Sequence, residues 1–464
     1  MTILRAPGIA SANVETIARL YDPGYVRRVE TLGGDAPVQV CIETRMLGDQ
    51  AGTGIATYAR MLARCLAGAG AVPVLLDDGS AHGAIEQTRV RRWLAATRNR
   101  PRNAVAYAAL VAGIEQRDAE QRDAEEDRGS SSGARGHPDA PIAAGDPAMA
   151  DPAIWIVSDL FREAQSFFNL HGRLLPITFA RPPAVMHWTY PVPIFAVGAK
   201  NIYTIHDLIP LTHPALTPIR GARHRRILTR VVERAHTLVT VSETMQRLVT
   251  TELGVSPAAV VNTFQAVDAP LQGDPALPAG LRSGRYFLFC GRVEPRKNLA
   301  RLAEAHRRSG TGLPLVIVGP ETPGEAALER TLHGFPLVRR ISWVPRPELL
   351  GLIRAARALL FPSLAEGFGL PIVEAMTLGC PVLTSHDGAP AEIAGEAALL
   401  VDPASVEDLA HAIGRLGTDD HLCARLRATG FARGRFFAPD AYARRLRALY
   451  AGALAAPLRA DSGL

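Results

Sequence analysis

Runs of apolar, β-branched residues alternate with helical patterns along most of the chain. Residues 38–43, VQVCIE, form such a run and predict a buried strand. Residues 55–70 then repeat apolar positions at helical spacing and end in glycines, and residues 72–78 predict the next strand. This order of strand, loop, helix and strand predicts an α/β fold with a parallel sheet.

The same alternation continues to the end of the chain. The first half carries further strand-like runs, at 153–158, 184–188, 201–205 and 237–242, with an arginine-rich helix at 219–235. The second half starts again with a strand and holds the following predicted elements: strand 285–292, a helix near 297–309, strand 313–319, a less regular stretch to 345, a helix near 347–357, strand 358–363, helix 371–379, a short strand PVLTS and a final basic amphipathic helix, 436–454. The chain is therefore predicted to contain two α/β halves.

Two segments lie outside this alternation. Residues 1–36 have no clear pattern and are interpreted as an N-terminal extension. Residues 115–152 contain the tandem repeat QRDAEQRDAE followed by a stretch rich in Gly, Ser, Pro and charge, which predicts a disordered or loosely helical insert. The insert is either a partner-binding segment or a tolerated surface insertion.

Composition agrees with a soluble protein of two domains. The chain has 464 residues, more than one hydrophobic core usually supports, with 47% hydrophobic and 21% charged residues. The formal net charge is +6, carried mostly by arginine. This balance suits anionic partners such as nucleotides, diphosphates or an acidic membrane surface.

The cysteines and the apolar stretches bear on location. The five cysteines fit no metal-ligand or disulfide spacing and are predicted to be reduced, which favours the cytoplasm. The N-terminus has no apolar run of the kind a signal peptide needs. The longest uncharged stretch, 182–199, contains four prolines and a histidine, so no transmembrane helix is expected.

The segment LAEGFGL, 364–370, is the first candidate site. It lies between a predicted buried strand and a helix that begins near Pro371 and that Gly379 closes. It therefore lies at the carboxyl end of a parallel strand, where α/β sheets bind ligands, and at a helix N-terminus, which suits a phosphate. Gly367 and Gly369 are predicted to let the ligand approach closely.

Two glutamates, Glu366 and Glu374, flank this glycine turn with seven residues between them. A carboxylate beside a phosphate site suits a sugar diol, because it accepts hydrogen bonds from two hydroxyls. Glu374 could reach the ribose of a nucleotide and Glu366 a hexose beyond the diphosphate, which together describe a nucleotide sugar. In the alternative interpretation, Glu374 complements the helix dipole and Glu366 is a solvated loop residue.

The segment FPSLAEGFGLPIVEAMTLGCPVLTS resembles the E-x7-E signature of the retaining GT-B glycosyltransferases, especially family 4 and its bacterial mannosyltransferases of polysaccharide biosynthesis. The resemblance implies an α/β fold of two doubly wound, Rossmann-like domains that face each other across a cleft, with a C-terminal helix crossing back to the first. The implied limits are an extension 1–36, an acceptor domain 37–275, a nucleotide-sugar domain 284–435, a crossover helix 436–455 and a tail 456–464.

Further segments resemble the family, and their residues carry its roles by resemblance. GRVEPRKNL, 291–299, supplies a cation pair for the donor diphosphate, and NIYTIHDLIPL, 201–211, and MHWTYPVP, 186–193, supply cleft residues. The implied catalytic residues are Arg292, Lys297, Glu366, His206, Asp207 and His187. The implied donor-binding residues are Gly367, Phe368, Gly369, Leu370, Glu374 and Val344, and the implied phosphate or acceptor loop is Gly52, Thr53 and Gly54.

The resemblance implies a metal-independent, retaining hexosyltransferase without a cofactor. Its donor is a nucleotide sugar, by analogy GDP-mannose with UDP-sugars still open, and its acceptor is a glycan or a polyprenyl-diphosphate-linked saccharide. Arginine clusters at 89–102 and 220–230 indicate either peripheral contact with an anionic membrane or a solvated basic face. One departure from the family is TFQAVDAP, 263–270, which stands where relatives often carry Asn-Gly-Val-Asp.

Three other functions fit single features. A non-catalytic nucleotide-sugar-binding protein would share the fold but not need an intact site. An NAD-dependent oxidoreductase would use GTGIAT, 52–57, with Asp77, although this segment is G-x-G-x-x-T and leaves the second-half motifs unexplained. A nucleic-acid binder is suggested only by charge, because the arginines lack interleaved aromatic residues.

Overall fold

The computed structural model describes a large part of the chain. The described residues are 38–43, 45, 54–77, 153–156, 160–179, 182–270, 277–322 and 324–458. The predicted extension, 1–36, and the predicted insert, 115–152, lie outside them.

The first sheet gathers the strands of the first half. Its order is β3-β2-β1-β5-β7-β8-β9, where the strands are β1 (Val38–Glu43), β2 (Ala71–Asp77), β3 (Ala153–Ile156), β5 (Val185–Trp188), β7 (Lys200–Ile205), β8 (Thr237–Thr240) and β9 (Val260–Asn262). β1 pairs in parallel with both β2 and β5. A small two-stranded sheet joins β4 (Leu175–Ile177) to β6 (Ile194–Ala196), also in parallel.

The second sheet gathers the strands of the second half. Its order is β12-β11-β10-β13-β14-β15, where the strands are β10 (Phe287–Cys290), β11 (Leu315–Val318), β12 (Val338–Ile341), β13 (Ala358–Phe361), β14 (Val382–Ser385) and β15 (Leu399–Val401). All of its pairings are parallel. The central strands β10 and β13 are buried at every residue, as their uninterrupted apolar runs predict.

Helices connect the strands in both halves, as crossover connections between parallel strands require. They are α1 (Gly54–Leu66), α2 (Leu160–His171), α3 (Ile209–Thr212), α4 (Gly221–Arg234), α5 (Glu243–Leu253), α6 (Leu299–Arg308), α7 (Ala326–His333), α8 (Arg346–Ala355), α9 (Leu370–Thr377), α10 (Gly388–Ala394), α11 (Val406–Thr418), α12 (Asp420–Gly434) and α13 (Pro439–Ala455). The predicted α/β class with parallel sheets is confirmed.

The chain divides into two compact units. Unit 1 holds the chain up to Tyr203, residues 233–237 and the chain from Arg447 onward, and unit 2 holds residues 204–232 and 238–446. The end of α13 therefore groups with the first half, which confirms the predicted return of the last helix. The domain limits 37–275 and 284–435 stay predictions, and unit 2 includes residues that those limits assign to the first domain.

One stretch is more regular than its sequence indicates. Residues 326–341, predicted to be irregular, form helix α7 and strand β12. β12 lies at the edge of the sheet, and its sequence VRRI carries two arginines, so it lacks the apolar run that reveals a buried strand. Arg340 of β12 pairs with Glu329 of α7 at 2.8 Å, which satisfies the half-buried charge.

All five cysteines are buried free thiols, as expected from their spacing. Burial is the main cause that raises the pKa of Cys380 to about 12, against smaller opposing contributions from a backbone hydrogen bond and Arg427. Within the described ranges, none of the helices combines the length and the apolar character needed to cross a bilayer.

Candidate functional site

The glycine turn lies where the sequence predicts it. β13 ends at Phe361 and α9 begins at Leu370, so Glu366 and the glycines lie between the carboxyl end of a central parallel strand and a helix N-terminus. The end of α9 also follows the prediction. Gly379 has a left-handed φ of +71° and donates its N–H to the Met376 carbonyl, which closes the helix.

A contact within the protein requires glycine at position 367. A Cβ on Gly367 would lie 1.7 Å from the carbonyl oxygen of His206, so the backbone of the segment after β7 occupies that space. Gly369 has a φ of +102°, a conformation that favours glycine. Gly367 thus serves the contact with His206, and the close approach of a ligand at this position stays a prediction.

Two further contacts fix the turn. Ser242 donates its hydroxyl to the Gly367 carbonyl at 2.8 Å and accepts the Met245 N–H at 3.1 Å, so it caps α5 and holds the turn at once. Phe368 is buried and packs edge-to-face on Phe437, with ring centroids 5.5 Å apart. The turn is therefore held from both sides before any ligand binds.

Glu366 is the centre of an ion-pair network. One carboxylate oxygen accepts from Lys297 Nζ and the other accepts from Arg296 at 2.8 Å, and Arg296 also donates its Nε to Glu294 at 2.7 Å. Burial on its own would raise the pKa of Glu366, but Lys297 and then Arg296 outweigh it, so the pKa lies below its usual value. The carboxylate is ionised at neutral pH.

Lys297 reaches Glu366 because of the local backbone. It ends a short 3₁₀ turn, Pro295–Lys297, and the next residue, Asn298, adopts a left-handed φ of +62°. Asn298 donates to the carbonyls of Pro362 and Pro403, which ties this turn to the strand end that carries the glycine turn. The Lys297 ammonium lies 4.6 Å from the centroid of the Phe361 ring.

Glu374 has its own cation. Its side chain is 4% exposed and accepts from Arg346, the first residue of α8, at 2.6 Å, while the Arg346 side chain is 42% exposed. Burial works against the Arg346 charge, but Glu374, with a smaller contribution from Asp268, raises its pKa. Each glutamate of the pair thus contacts at least one cation.

The other predicted donor residues lie nearby in unit 2. Arg292 is exposed and directly follows Gly291 at the end of β10. Val344 is half-buried in the loop between β12 and Arg346 and follows an exposed Trp343. Phe368 and Leu370 belong to the turn and to the first turn of α9.

The predicted residues His206 and Asp207 follow β7 and also belong to unit 2. Asp207 accepts the Ile209 N–H at 3.1 Å, which forms an Asx turn at the start of α3. The Arg296 pKa lies above its ordinary value, since Glu366, Glu294 and Asp207 together outweigh the burial that opposes its charge. The structure therefore brings the His206–Asp207 segment together with the glycine turn and the Arg296–Lys297 turn.

Four predicted residues are placed elsewhere or not described. His187 lies in unit 1, is completely buried and shares a 2.9 Å hydrogen bond with the Tyr450 hydroxyl. Gly54 begins α1, also in unit 1, whereas Gly52 and Thr53 lie outside the described residues. The contact with Tyr450 gives His187 a structural role, and its role at a reacting sugar stays a prediction.

Sequence reasoning missed two cations of this site, Arg296 and Arg346. Each stands close to a residue that was singled out: Arg296 directly precedes Lys297, and Arg346 lies two positions after Val344. In the described part of the chain, no group of three or more His, Cys, Asp or Glu side chains is arranged to hold a metal ion.

Comparisons with known proteins define first the fold and then the family. Sucrose-phosphate synthase from Thermosynechococcus elongatus aligns with a TM-score of 0.58 at 18% identity, over 89% of this chain and 98% of that one. HepE from Anabaena, in complex with UDP and glucose, aligns with a TM-score of 0.54 at 13% identity, over 89% and 99%. At these identities the alignments show the fold alone.

Residues 281–433 match the family Glycosyl transferases group 1, and this part of the chain belongs to it. O-antigen chain mannosyltransferase B from Escherichia coli is 30% identical over 267 residues, 51% of this chain and 66% of the relative. MMP alpha-(1->4)-mannosyltransferase from Mycolicibacterium hassiacum is 31% identical over 243 residues, 48% of this chain and 58% of the relative. The matches thus span about half of this chain and less than two thirds of these relatives.

Proposed function

We propose that the protein is a retaining glycosyltransferase that moves a hexose from a nucleotide sugar to a glycan or lipid-linked saccharide acceptor in cell-surface polysaccharide or exopolysaccharide assembly. The preferred donor is GDP-mannose, and neither a cofactor nor a metal takes part. The observation that carries the proposal is the paired arrangement of Glu366 and Glu374, each in contact with a cation, around a glycine turn at the carboxyl edge of a parallel sheet. The group 1 family match and the mannosyltransferase names of the relatives support it.

The donor occupies the edge of the second sheet in this proposal. Arg292, Lys297 and the backbone of the turn 367–370 bind the diphosphate, because cations and helix N-termini favour phosphate there. Glu374 accepts hydrogen bonds from the ribose, and Glu366 accepts them from the hexose. The loop that holds Trp343 and Val344 contacts the base.

The reaction breaks the bond between the anomeric carbon and the diphosphate oxygen and forms one between that carbon and an acceptor hydroxyl on the same face. The departing diphosphate takes the proton of that hydroxyl. Catalysis then consists of positioning and of stabilising the negative charge on the leaving group, for which Arg292 and Lys297 are placed. His206 and Asp207 orient the acceptor, and His187 is a further candidate for contact with the reacting sugar.

A thermal-shift panel with GDP, UDP, ADP and NAD tests the donor site. Ligand at 100 times its Kd stabilises the folded protein by about 2.7 kcal/mol, so one nucleoside diphosphate should raise Tm clearly. Glu374→Gln should weaken that shift. The control Glu348→Gln changes an exposed glutamate on the same helix as Arg346 and should leave the shift unchanged.

The panel also separates the rival functions. A shift with NAD alone would contradict the proposal and favour an oxidoreductase. Selective stabilisation by GDP or UDP supports a transferase if the protein also slowly cleaves the corresponding sugar nucleotide. That cleavage is measured as release of the nucleoside diphosphate. Nucleotide binding without any release, with lipid-linked saccharide acceptors present, would favour a non-catalytic binding protein.

Membrane contact is the second part of the proposal. Helix α4 and the residues before it expose a series of arginines and one large apolar side chain: Arg220, Arg223, Arg225, Arg226, Arg230 and Ile219, which is 55% exposed. Each such arginine near an anionic lipid surface contributes about 1 kcal/mol. The other predicted arginine cluster, 89–102, lies outside the described residues.

Co-sedimentation with vesicles tests this contact. The protein should pellet with phosphatidylglycerol vesicles at low salt and much less with phosphatidylcholine vesicles or at high salt, because the attraction is electrostatic and screened. Arg220→Gln combined with Arg223→Gln should reduce the pelleted fraction. Equal recovery with both lipids, or in the supernatant throughout, would contradict it.

A further inference from the structure

The two oxygens of Glu366 are divided between two different cations. Lys297 takes one oxygen and Arg296 takes the other, at 2.8 Å. The proposed function assigns Lys297 to the donor diphosphate, yet the Lys297 side chain is 8% exposed and its ammonium donates to Glu366. Donor binding therefore requires that Lys297 change partners.

We propose that Arg296 is a positioning residue that keeps hold of Glu366, so that Lys297 is free to move from Glu366 to the diphosphate of the donor. This inference rests on the proposed function and adds a residue to it. Arg296 touches no donor atom in this scheme. It acts through Glu366, by remaining its charged partner when Lys297 leaves.

The geometry fits this division of labour. The guanidinium of Arg296 spans two carboxylates, donating Nε to Glu294 at 2.7 Å and a terminal nitrogen to Glu366 at 2.8 Å. A planar fork bound at both ends is fixed in place. Lys297 carries a single point charge on a flexible stem, so rotation of that stem can redirect it.

The buried carboxylate of Glu366 needs a second cation when Lys297 leaves it. Breaking a buried ion pair is costly when the remaining charge is left uncompensated. The Glu366 side chain is 10% exposed, so without Arg296 the departure of Lys297 would leave such a charge. With Arg296 in place, Glu366 keeps one charge-assisted hydrogen bond throughout the exchange.

The choice of lysine at 297 agrees with a cation that moves. The chain contains only two lysines, Lys200 and Lys297, among its 51 lysines and arginines. In a chain whose cations are almost all arginine, Lys297 places one ammonium on a flexible side chain beside the fixed guanidinium of Arg296. An arginine at 297 would take up more of the Glu366 carboxylate through its own fork.

The test compares binding of a nucleoside diphosphate with that of the monophosphate of the same base, GDP with GMP or UDP with UMP, by calorimetry. The Kd of the monophosphate divided by the Kd of the diphosphate isolates the contribution of the second phosphate, which Lys297 contacts in this proposal. Arg296→Gln should lower this ratio about tenfold, equivalent to about 1.4 kcal/mol, because Lys297 becomes the last charged partner of Glu366. Arg308→Gln, which removes a surface arginine of α6, should leave the ratio unchanged.

A double variant separates this role from a merely structural one. In Arg296→Gln with Glu366→Gln the carboxylate that retains Lys297 is gone, so the ratio should return close to that of the unaltered protein. A ratio that Arg296→Gln leaves intact, or a loss that the double variant does not restore, would overturn the inference while the proposed function stands. If Arg296→Gln does not fold, Arg296→Lys is expected to lower the ratio about threefold, since lysine can hold only one of the two carboxylates, and an unchanged ratio overturns the inference. No diphosphate preference in the unaltered protein would overturn both proposals.

Discussion

The two units bury polar side chains in contrasting ways. In unit 2, Glu366 and Glu374 each contact an arginine whose side chain remains partly accessible, Arg296 at 22% and Arg346 at 42% exposed, and Glu366 also contacts the buried Lys297. In unit 1, Glu43, His187 and Thr189 are completely buried. There Thr189 donates its hydroxyl to Glu43, and His187 meets the Tyr450 hydroxyl.

The difference teaches what a buried polar group is for. Where a buried carboxylate keeps one partly accessible cation, a neighbouring cation can leave it for an anionic ligand without leaving a buried charge uncompensated. A polar pair enclosed by the core cannot exchange without leaving an unsatisfied group, which costs about 1–3 kcal/mol. We therefore expect substitutions in the first region to change ligand binding and turnover, and substitutions in the second to change stability.

The largest effect is expected for Lys297→Met. Loss of the cation that stabilises the leaving diphosphate should lower the rate of its release from the sugar nucleotide by about 100-fold, the size seen when one stabilising group is removed. The measurement is the amount of nucleoside diphosphate released per enzyme molecule and per unit time at a saturating concentration of the sugar nucleotide.

The other lysine provides the matched control for that experiment. Lys200 is buried in unit 1 and donates to the Ala456 carbonyl, so Lys200→Met should lower Tm and leave the release rate of the folded protein intact. Equal rates in both variants and the unaltered protein would show that Lys297 has no part in the reaction.

The next effect concerns the backbone that carries the glutamates. Gly367→Ala places a methyl group 1.7 Å from the His206 carbonyl, so the turn or the His206 segment must shift. Such overpacking costs about 1–3 kcal/mol, and a shifted turn should also weaken nucleotide binding. Chemical unfolding and calorimetry would measure the two changes.

Gly452 offers a matched position where the same change should do no harm. It lies in α13 and a Cβ there meets nothing within 4 Å, so Gly452→Ala should stabilise by about 0.5–1 kcal/mol. If Gly367→Ala were as stable as Gly452→Ala and bound nucleotide normally, the contact with His206 would not constrain the site.

The fold could be predicted where strands are largely buried. β1 has the predicted limits, and β13 and α9 differ from theirs by two residues or fewer, because uninterrupted apolar runs and a helix-ending glycine are local signals. The prediction was wrong at 326–341, where an edge strand carries arginines and an ion pair replaces the apolar signal. The sequence pattern therefore predicts a buried strand more reliably than an exposed edge strand.

The site was predictable by residue type but not by pairing. Glu366, Glu374 and Lys297 stand in recognisable motifs, whereas the choice of Arg296 and Arg346 as their partners depends on non-local backbone, such as the left-handed Asn298 and the start of α8. The packing contact of Gly367 could not be predicted for the same reason. The atom that requires a glycine there is a carbonyl of His206, about 160 positions earlier in the chain.

Tyr450→Phe tests the enclosed region. It removes the hydroxyl that meets His187 and should lower stability by about 1 kcal/mol, the usual net value of one buried hydrogen bond, with the release rate unchanged. Unfolding by urea and the diphosphate release assay measure the two quantities. Normal stability with a clear loss of turnover would instead favour the predicted role of His187 at the reacting sugar.

The smallest effect is the pH dependence that Glu366 adds to stability. Its pKa in the folded protein lies below the usual value, so its contribution to stability is present above the unfolded pKa, about 4.3, and is lost as pH falls through the folded pKa. The difference in Tm between the unaltered protein and Glu366→Gln should therefore be constant near neutral pH and shrink on acidification below about pH 5.

Glu304 sharpens this last prediction because it has a lowered pKa for a different reason. Hydrogen bonds from Arg307 and Arg308 bring its pKa to about 2 on an exposed helix face, so its contribution should also fade in acid. Salt separates the two glutamates, because exposed charges are screened and buried pairs much less so. At high ionic strength the effect of Glu304→Gln on Tm should vanish while that of Glu366→Gln persists, and if both vanish together, the network around Glu366 is as open to solvent as the surface of α6.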